Sequence, residues 1–157
     1  MSDDETRTDS ETPRPSAGPI VLPVGVVVVT HGQLALELVN AAEAIVGDLS
    51  NITSVSIGWH DDVDVAREEI GAAVNRVATE QGALVLTDMF GGTPSNLAVT
   101  FLAPQRVEVV TGVNLPMLLK LANLRDATGL REIARTVGEH GRGAVWVVSD
   151  LMEGRQP

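Results

Sequence analysis

The chain is 157 residues long and carries 11 lysines and arginines against 21 aspartates and glutamates, a formal charge of −10. That length suits one domain able to bury its own core, and 44% hydrophobic with 20% charged residues is ordinary for a globular protein. The acidic balance argues against nucleic acid and anionic membrane surfaces, the absence of cysteine excludes disulfides, thiol nucleophiles and cysteine-held metals, and 3% aromatic residues leaves no platform for stacked bases.

No apolar run approaches the roughly 20 residues that span a bilayer, and the polar N-terminus is not a secretory signal, so a cytoplasmic protein is expected. Residues 1–19 hold five acidic residues, two arginines, three prolines and no large apolar residue beyond Met1. Such a segment cannot bury enough surface to offset its ordering entropy, which predicts a disordered acidic tail before a single domain over residues 20–157.

Val24–Thr30 is a β-branched run broken only by Gly25 and predicts a first strand buried on both faces. Gln33–Val46 predicts a helix with Leu34, Leu38, Ala41 and Ile45 on one stripe and Gly47 as its stop. Ile52–Gly58 reads as the second strand. Val65–Gln81 reads as a helix that buries Ala66, Ile70, Ala73, Val74 and Val77, with Asp64 as N-cap. Ala83–Asp88 is a short third strand, after which Thr93 offers a capping hydroxyl and Pro94 a first-turn residue for a helix to about Leu102. Val107–Thr111 is the fourth strand. Leu115–Leu124 and Leu130–Glu139 are helices, the second ended by Gly141–Gly143, and Ala144–Val148 is a fifth strand. Strands alternating with helices imply an α/β fold, a doubly wound and mostly parallel sheet with helices on both faces. In the order 2-1-3-4 the winding reverses between strands 1 and 3, and ligands bind at the carboxyl ends of those two strands.

Thr30-His31-Gly32 follows the first of them and Asp88-Met89-Phe90-Gly91-Gly92-Thr93-Pro94 the second. An uncharged imidazole is a nucleophile near neutral pH. A carboxylate that accepts a hydrogen bond from one ring nitrogen fixes the tautomer, frees the other nitrogen to attack and stabilises the cation formed afterwards. A glycine pair lets backbone approach a ligand, and the N–H groups that open the next helix make an anion site. His31 and Asp88 are therefore the candidate catalytic pair and Gly91, Gly92 and Thr93 the candidate phosphoryl-binding loop of a histidine that carries a phosphoryl group. No GxxxxGK[ST] pattern exists, the single lysine, Lys120, falls in a helix, and no carboxylate cage for magnesium is evident. Transfer between two protein histidines needs no nucleotide, and neither a cofactor nor a metal is expected.

Val26–Val29 with Thr30-His31-Gly32, the stretch 86–96 (LTDMFGGTPSN) and the stretch 110–117 (VTGVNLPM) together resemble the IIA component of the mannose-type phosphotransferase system, over about residues 22–152. The resemblance implies the doubly wound fold and a phosphotransferase that works through a phosphohistidine. His31 would accept the phosphoryl group from the phosphocarrier HPr and pass it to a IIB protein or domain. Asp88 would pair with His31, and Gly92, Thr93 and neighbouring backbone would hold the phosphoryl oxygens. It further implies a homodimer that exchanges a C-terminal strand, antiparallel and matched by Ala144–Val148. The partners it implies are HPr, a IIB protein or domain, a second copy and association with a membrane permease complex, with neither nucleic acid nor direct membrane insertion.

The alternative function is a stand-alone regulatory IIA protein whose phosphorylation state controls binding to a protein partner. A receiver domain would need an acidic pair where Thr30-His31-Gly32 stands, and a flavodoxin-type binder would need aromatics that are scarce. His60 with Asp61 and Asp62 lacks metal-ligand spacing and reads as a solvated loop near the site's rim. Trp59 and Trp146 read as packing residues, Trp146 in the dimer interface. Met117 reads as core, and His140 as a helix C-terminal cation.

Overall fold

Residues 18–125, 127 and 129–154 are described by the computed structural model, and the tail read at 1–19 lies outside them but for Gly18 and Pro19. Among the described residues, strands β1 (Ile20–His31), β2 (Leu49–Ile57), β3 (Ala83–Thr87) and β4 (Val107–Thr111) form one sheet in the order β2-β1-β3-β4, every neighbouring pair parallel. The helices are α1 (Leu34–Val46), α2 (Val63–Val77), α3 (Thr93–Ala98, continued as a 3-10 turn over Val99–Phe101), α4 (Leu115–Asn123), α5 (Leu130–Gly143) and α6 (Val148–Met152). The architecture and strand order are those read from the sequence. None of these helices is long and apolar enough to cross a membrane.

The valine run of β1 serves two cores. Val26 and Val28 pack in a cluster with residues of α1, α4 and α5, while Val27 and Val29 pack with residues of α2 and α3. A strand covered on both faces needs apolar side chains at every position, hence the unbroken run. Gly25 lets β1 pass beneath the end of α2, where a Cβ would overlap the Val77 carbonyl. The strand starts earlier than its β-branched stretch. Pro23 has no N–H to give, and the register against β2 shifts between Val21 and Val26. The Asn51 side chain fills that gap: Oδ1 accepts from Leu22 N–H at 3.0 Å, and Nδ2 donates to the Leu22 and Val24 carbonyls at 3.2 and 2.8 Å.

Several details differ from the sequence reading. Helix α1 buries Ala35, Val39 and Ala42, leaving Leu34 46% and Ile45 60% exposed. Its small-residue stripe lets the helix sit close to the sheet, one position round from the stripe of larger residues. Asp62, not Asp64, caps α2, its Oδ1 accepting from the N–H groups of Asp64 and Val65 at 2.8 and 3.1 Å. Gly92 is the N-cap of α3, so Thr93 is its first helical residue and caps nothing. Helix α5 runs through Gly141 to Gly143 because Gly141 is a contact residue rather than a stop. A Cβ there would come within 2.6 Å of Met117 Cγ. Residues 144–147 form no strand, and α6 begins at Val148. A strand needs a neighbour for its N–H and C=O groups, and among the described residues none pairs with this segment.

Candidate active site

With four parallel strands, all carboxyl ends meet one edge, and the winding reverses between β1 and β3. His31 closes β1, and Asp88 follows β3 directly. His31 Nδ1 and Asp88 Oδ2 are 2.8 Å apart. The same oxygen accepts the His31 backbone N–H at 3.0 Å, while Oδ1 accepts the Met89 N–H at 2.9 Å. The carboxylate is 14% exposed and the imidazole 44%. Partial burial pushes the Asp88 pKa up, but the His31 backbone N–H, the imidazole and the Met89 N–H outweigh it and hold the carboxyl below its ordinary range. Asp88 is therefore an ionised, acceptor-only group at neutral pH, and the proton of their shared bond sits on Nδ1. In the neutral imidazole this tautomer leaves the lone pair on Nε2.

The surrounding backbone is arranged to keep this geometry. Thr30, fully buried, accepts the Ala35 N–H on Oγ1 at 2.7 Å and donates to the His31 carbonyl at 3.2 Å. The turn that carries His31 is so tied to the start of α1. Gly32, at φ 54°, donates its N–H to the Ile57 carbonyl at 2.9 Å. On the other side, the N–H groups of Gly112 and Val113 both reach the Thr87 carbonyl at 2.9 Å, fixing the end of β3. Asn114 caps α4 by accepting the Met117 N–H at 3.2 Å and donates Nδ2 to the Gly141 carbonyl at 2.9 Å. The GVN stretch is thus scaffolding behind Asp88.

Gly91 turns the β3–α3 loop at φ 85°, a conformation that favours glycine. Gly92 lies against the imidazole, where a Cβ would stand 2.8 Å from His31 Cε1 and 3.2 Å from Nε2. Thr93 lines a cavity of ≈ 190 Å³ together with His31, Ile57, Gly58, Trp59, Asp61, Val63 and Ala66. The structure thus brings His31, Asp88, Gly92 and Thr93 together, with Gly91 as the turn that delivers them. A neutral imidazole with an ionised carboxylate on Nδ1 and open space beside the ring can attack an electrophile through Nε2 and hold the resulting cation. Among the described residues, no group of three or more His, Asp or Glu side chains could hold a metal ion.

Sequence reasoning missed Trp59. Read as a packing residue, it is 97% exposed and borders the His31 cavity. Its position just past the end of β2, on the same edge as His31, was the available signal. Asp61 lines the same cavity, and its Oδ2 accepts the Gly58 N–H at 2.5 Å. His60 is exposed and is not among the lining residues. Trp146 is 45% exposed rather than packed within the chain, whereas Met117 is buried as expected.

Such a site, on a doubly wound sheet, defines a protein that can work through a histidine nucleophile. The family model described as "PTS system fructose IIA component" matches residues 25–138. Among curated proteins, the fructose-specific EIIA component of Bacillus subtilis is 29% identical over 131 residues, 83% of this chain and 90% of that protein. The mannose-specific EIIAB component of Escherichia coli K12 is 30% identical over 124 residues, 78% of this chain but 38% of that longer protein. Among solved structures, the mannose/sorbose-specific IIA subunit from Enterococcus faecalis superposes with a TM-score of 0.70 at 28% identity, over 79% of this chain and 93% of that one. The chain belongs to the mannose/fructose-type IIA family of the phosphotransferase system.

Proposed function

We propose that this chain is a phosphocarrier of the phosphoenolpyruvate-dependent phosphotransferase system, and that His31 takes a phosphoryl group from phospho-HPr and passes it to a IIB protein or domain. The observation that supports this most is the 2.8 Å contact of His31 Nδ1 with Asp88, on a ring that is partly exposed and borders a cavity. Nε2 attacks the phosphorus of the donor's phosphohistidine, the donor's P–N bond breaks, and the electron pair returns to the donor ring. The new phosphoimidazole keeps its Nδ1 proton and is a cation, which Asp88 stabilises. Backbone of Gly91, Gly92 and Thr93 receives the phosphoryl oxygens, since a helix start leaves its first N–H groups without intrahelical partners. Reversal of the same step hands the group to the acceptor.

The protein acts as a homodimer that exchanges its C-terminal segment. Strand β4 ends the sheet, and among the described residues its outer side is bridged at Val107 by Ala103 and by no further strand; a groove of ≈ 420 Å³ runs between it and α5. Val145, Trp146, Val147 and Val148 are exposed in the single chain. Apolar strand-forming residues beside an open sheet edge suit pairing between two copies.

Incubation with phospho-HPr tests the phosphocarrier reading. The wild type takes up an acid-labile, base-stable label. His31→Ala takes up none, and Asp88→Asn labels about 100-fold more slowly or worse, because the tautomer is no longer fixed. Labelling of His31→Ala at the wild-type rate would refute the assignment.

A further inference from the structure

The rim around His31 is both apolar and acidic. Trp59 and Val63 border its cavity, while Met89 and Phe90 stand on the loop that carries Asp88; all four are more than half exposed, Phe90 at 80%. Single exposed apolar residues are ordinary on a protein surface, but four in segments flanking one nucleophile mark an interaction site. The segments leaving the carboxyl ends of the strands, 31–37, 58–64, 88–99 and 112–116, contain Glu37, Asp61, Asp62, Asp64 and Asp88 and no lysine or arginine. The sheet order puts β2, and with it Trp59, on the edge opposite β4. A second copy paired along β4 would lie at the far side of the sheet from Trp59.

We infer that the β2–α2 loop is the docking element for the phosphoryl donor, with Trp59 as its anchor, and that the donor presents an apolar face ringed by lysine or arginine around its own phosphohistidine. The inference rests on the phosphocarrier reading of His31 and adds the surface that selects the partner. A flat aromatic side chain buries about 150–250 Å² when covered and loses little conformational freedom in doing so, which is why tryptophan is prominent among interface hot spots. The acidic groups speed encounter with a basic partner and penalise acidic ones. These segments bring no lysine or arginine to a phosphoryl group, and Arg67 just beyond them is drawn to Asp64 at 4.0 Å, so most of the countercharge has to arrive with the donor. The loop is held in place without help from the indole: Asp61 accepts the Gly58 N–H, and Asp62 caps α2.

The test is the rate of His31 labelling against phospho-HPr concentration for the wild type, Trp59→Ala and Trp59→Phe. Trp59→Ala raises the half-saturating concentration about 30-fold, the size of a hot-spot loss. Its limiting rate at saturation stays within about threefold of the wild type, because His31 and Asp88 are untouched. Trp59→Phe recovers most of the loss, and added salt raises the wild-type half-saturating concentration. Equal thermal unfolding of the variants shows that the fold is retained. Saturation of Trp59→Ala at the wild-type concentration overturns the docking proposal while leaving the phosphocarrier reading intact. A change of oligomeric state in Trp59→Ala also overturns it, by assigning the indole to contact between copies. A wild type that takes no label overturns the reading and this proposal together.

Discussion

A methyl group at position 92 would reach the ring of His31. The backbone of Gly92 has an ordinary negative φ of −88°, so alanine fits the chain locally, yet its Cβ would lie 2.8 Å from His31 Cε1. The imidazole must yield, and it is held to Asp88 by one 2.8 Å contact. Displacement of a reacting group by about 1 Å can cost about 100-fold in rate. Gly92→Ala is therefore expected to slow phosphorylation by roughly 10- to 100-fold while its thermal unfolding stays close to that of the wild type, as paired kinetic and melting measurements can check. A large loss of stability with labelling intact would mean that Gly92 serves the fold and not the ring. At this scale the site was legible where residue type and strand end coincide, as in His31 and Asp88. The closeness of Gly92 to the imidazole was not, because a glycine pair also marks a plain turn and only the packed ring distinguishes the two. Trp59 was misread because an indole is more often covered than exposed, and its neighbours across the edge lie far away in the sequence.

Elements were read well where one pattern admits one answer. Strand β4 has the same bounds as its β-branched run, and α2 buries the five residues expected of it. Helix α1 is apolar at most positions, so two stripes share helical spacing, and the choice between them depends on how closely the sheet can be approached. Gly141 of α5 looks like part of a stop but accommodates Met117, a contact formed between helices and invisible in either one. The segment 144–148 is the clearest case. Its composition favours a strand, but a strand exists only with a neighbour, and the single chain leaves Val145, Trp146, Val147 and Val148 in solvent. In the proposed exchange, a second copy supplies that neighbour along the outer side of β4. The full chain is expected to sediment as a dimer, and a chain ending at residue 143 as a monomer. A truncated chain that remained dimeric would contradict the exchange.

At the scale of the whole molecule, the parallel order β2-β1-β3-β4 gathers every functional feature at one edge: the imidazole, its carboxylate, the glycine loop and the acidic, apolar rim. The proposed assembly uses β4, the edge strand on the other side of the sheet from β2. A chain with a net charge of −10 and no lysine or arginine in the segments that carry its nucleophile suits a partner that brings positive charge to the encounter. The chemistry at the centre of this arrangement turns on one atom. In the proposed transfer, Asp88 holds the Nδ1 proton, which leaves Nε2 of His31 to form the bond to phosphorus. Nitrogen-15 and phosphorus-31 correlation spectra of the phosphorylated protein, labelled at histidine, test this most directly. They should show phosphorus bonded to Nε2 of His31 with Nδ1 still protonated; phosphorus on Nδ1, or on another residue, would contradict the account.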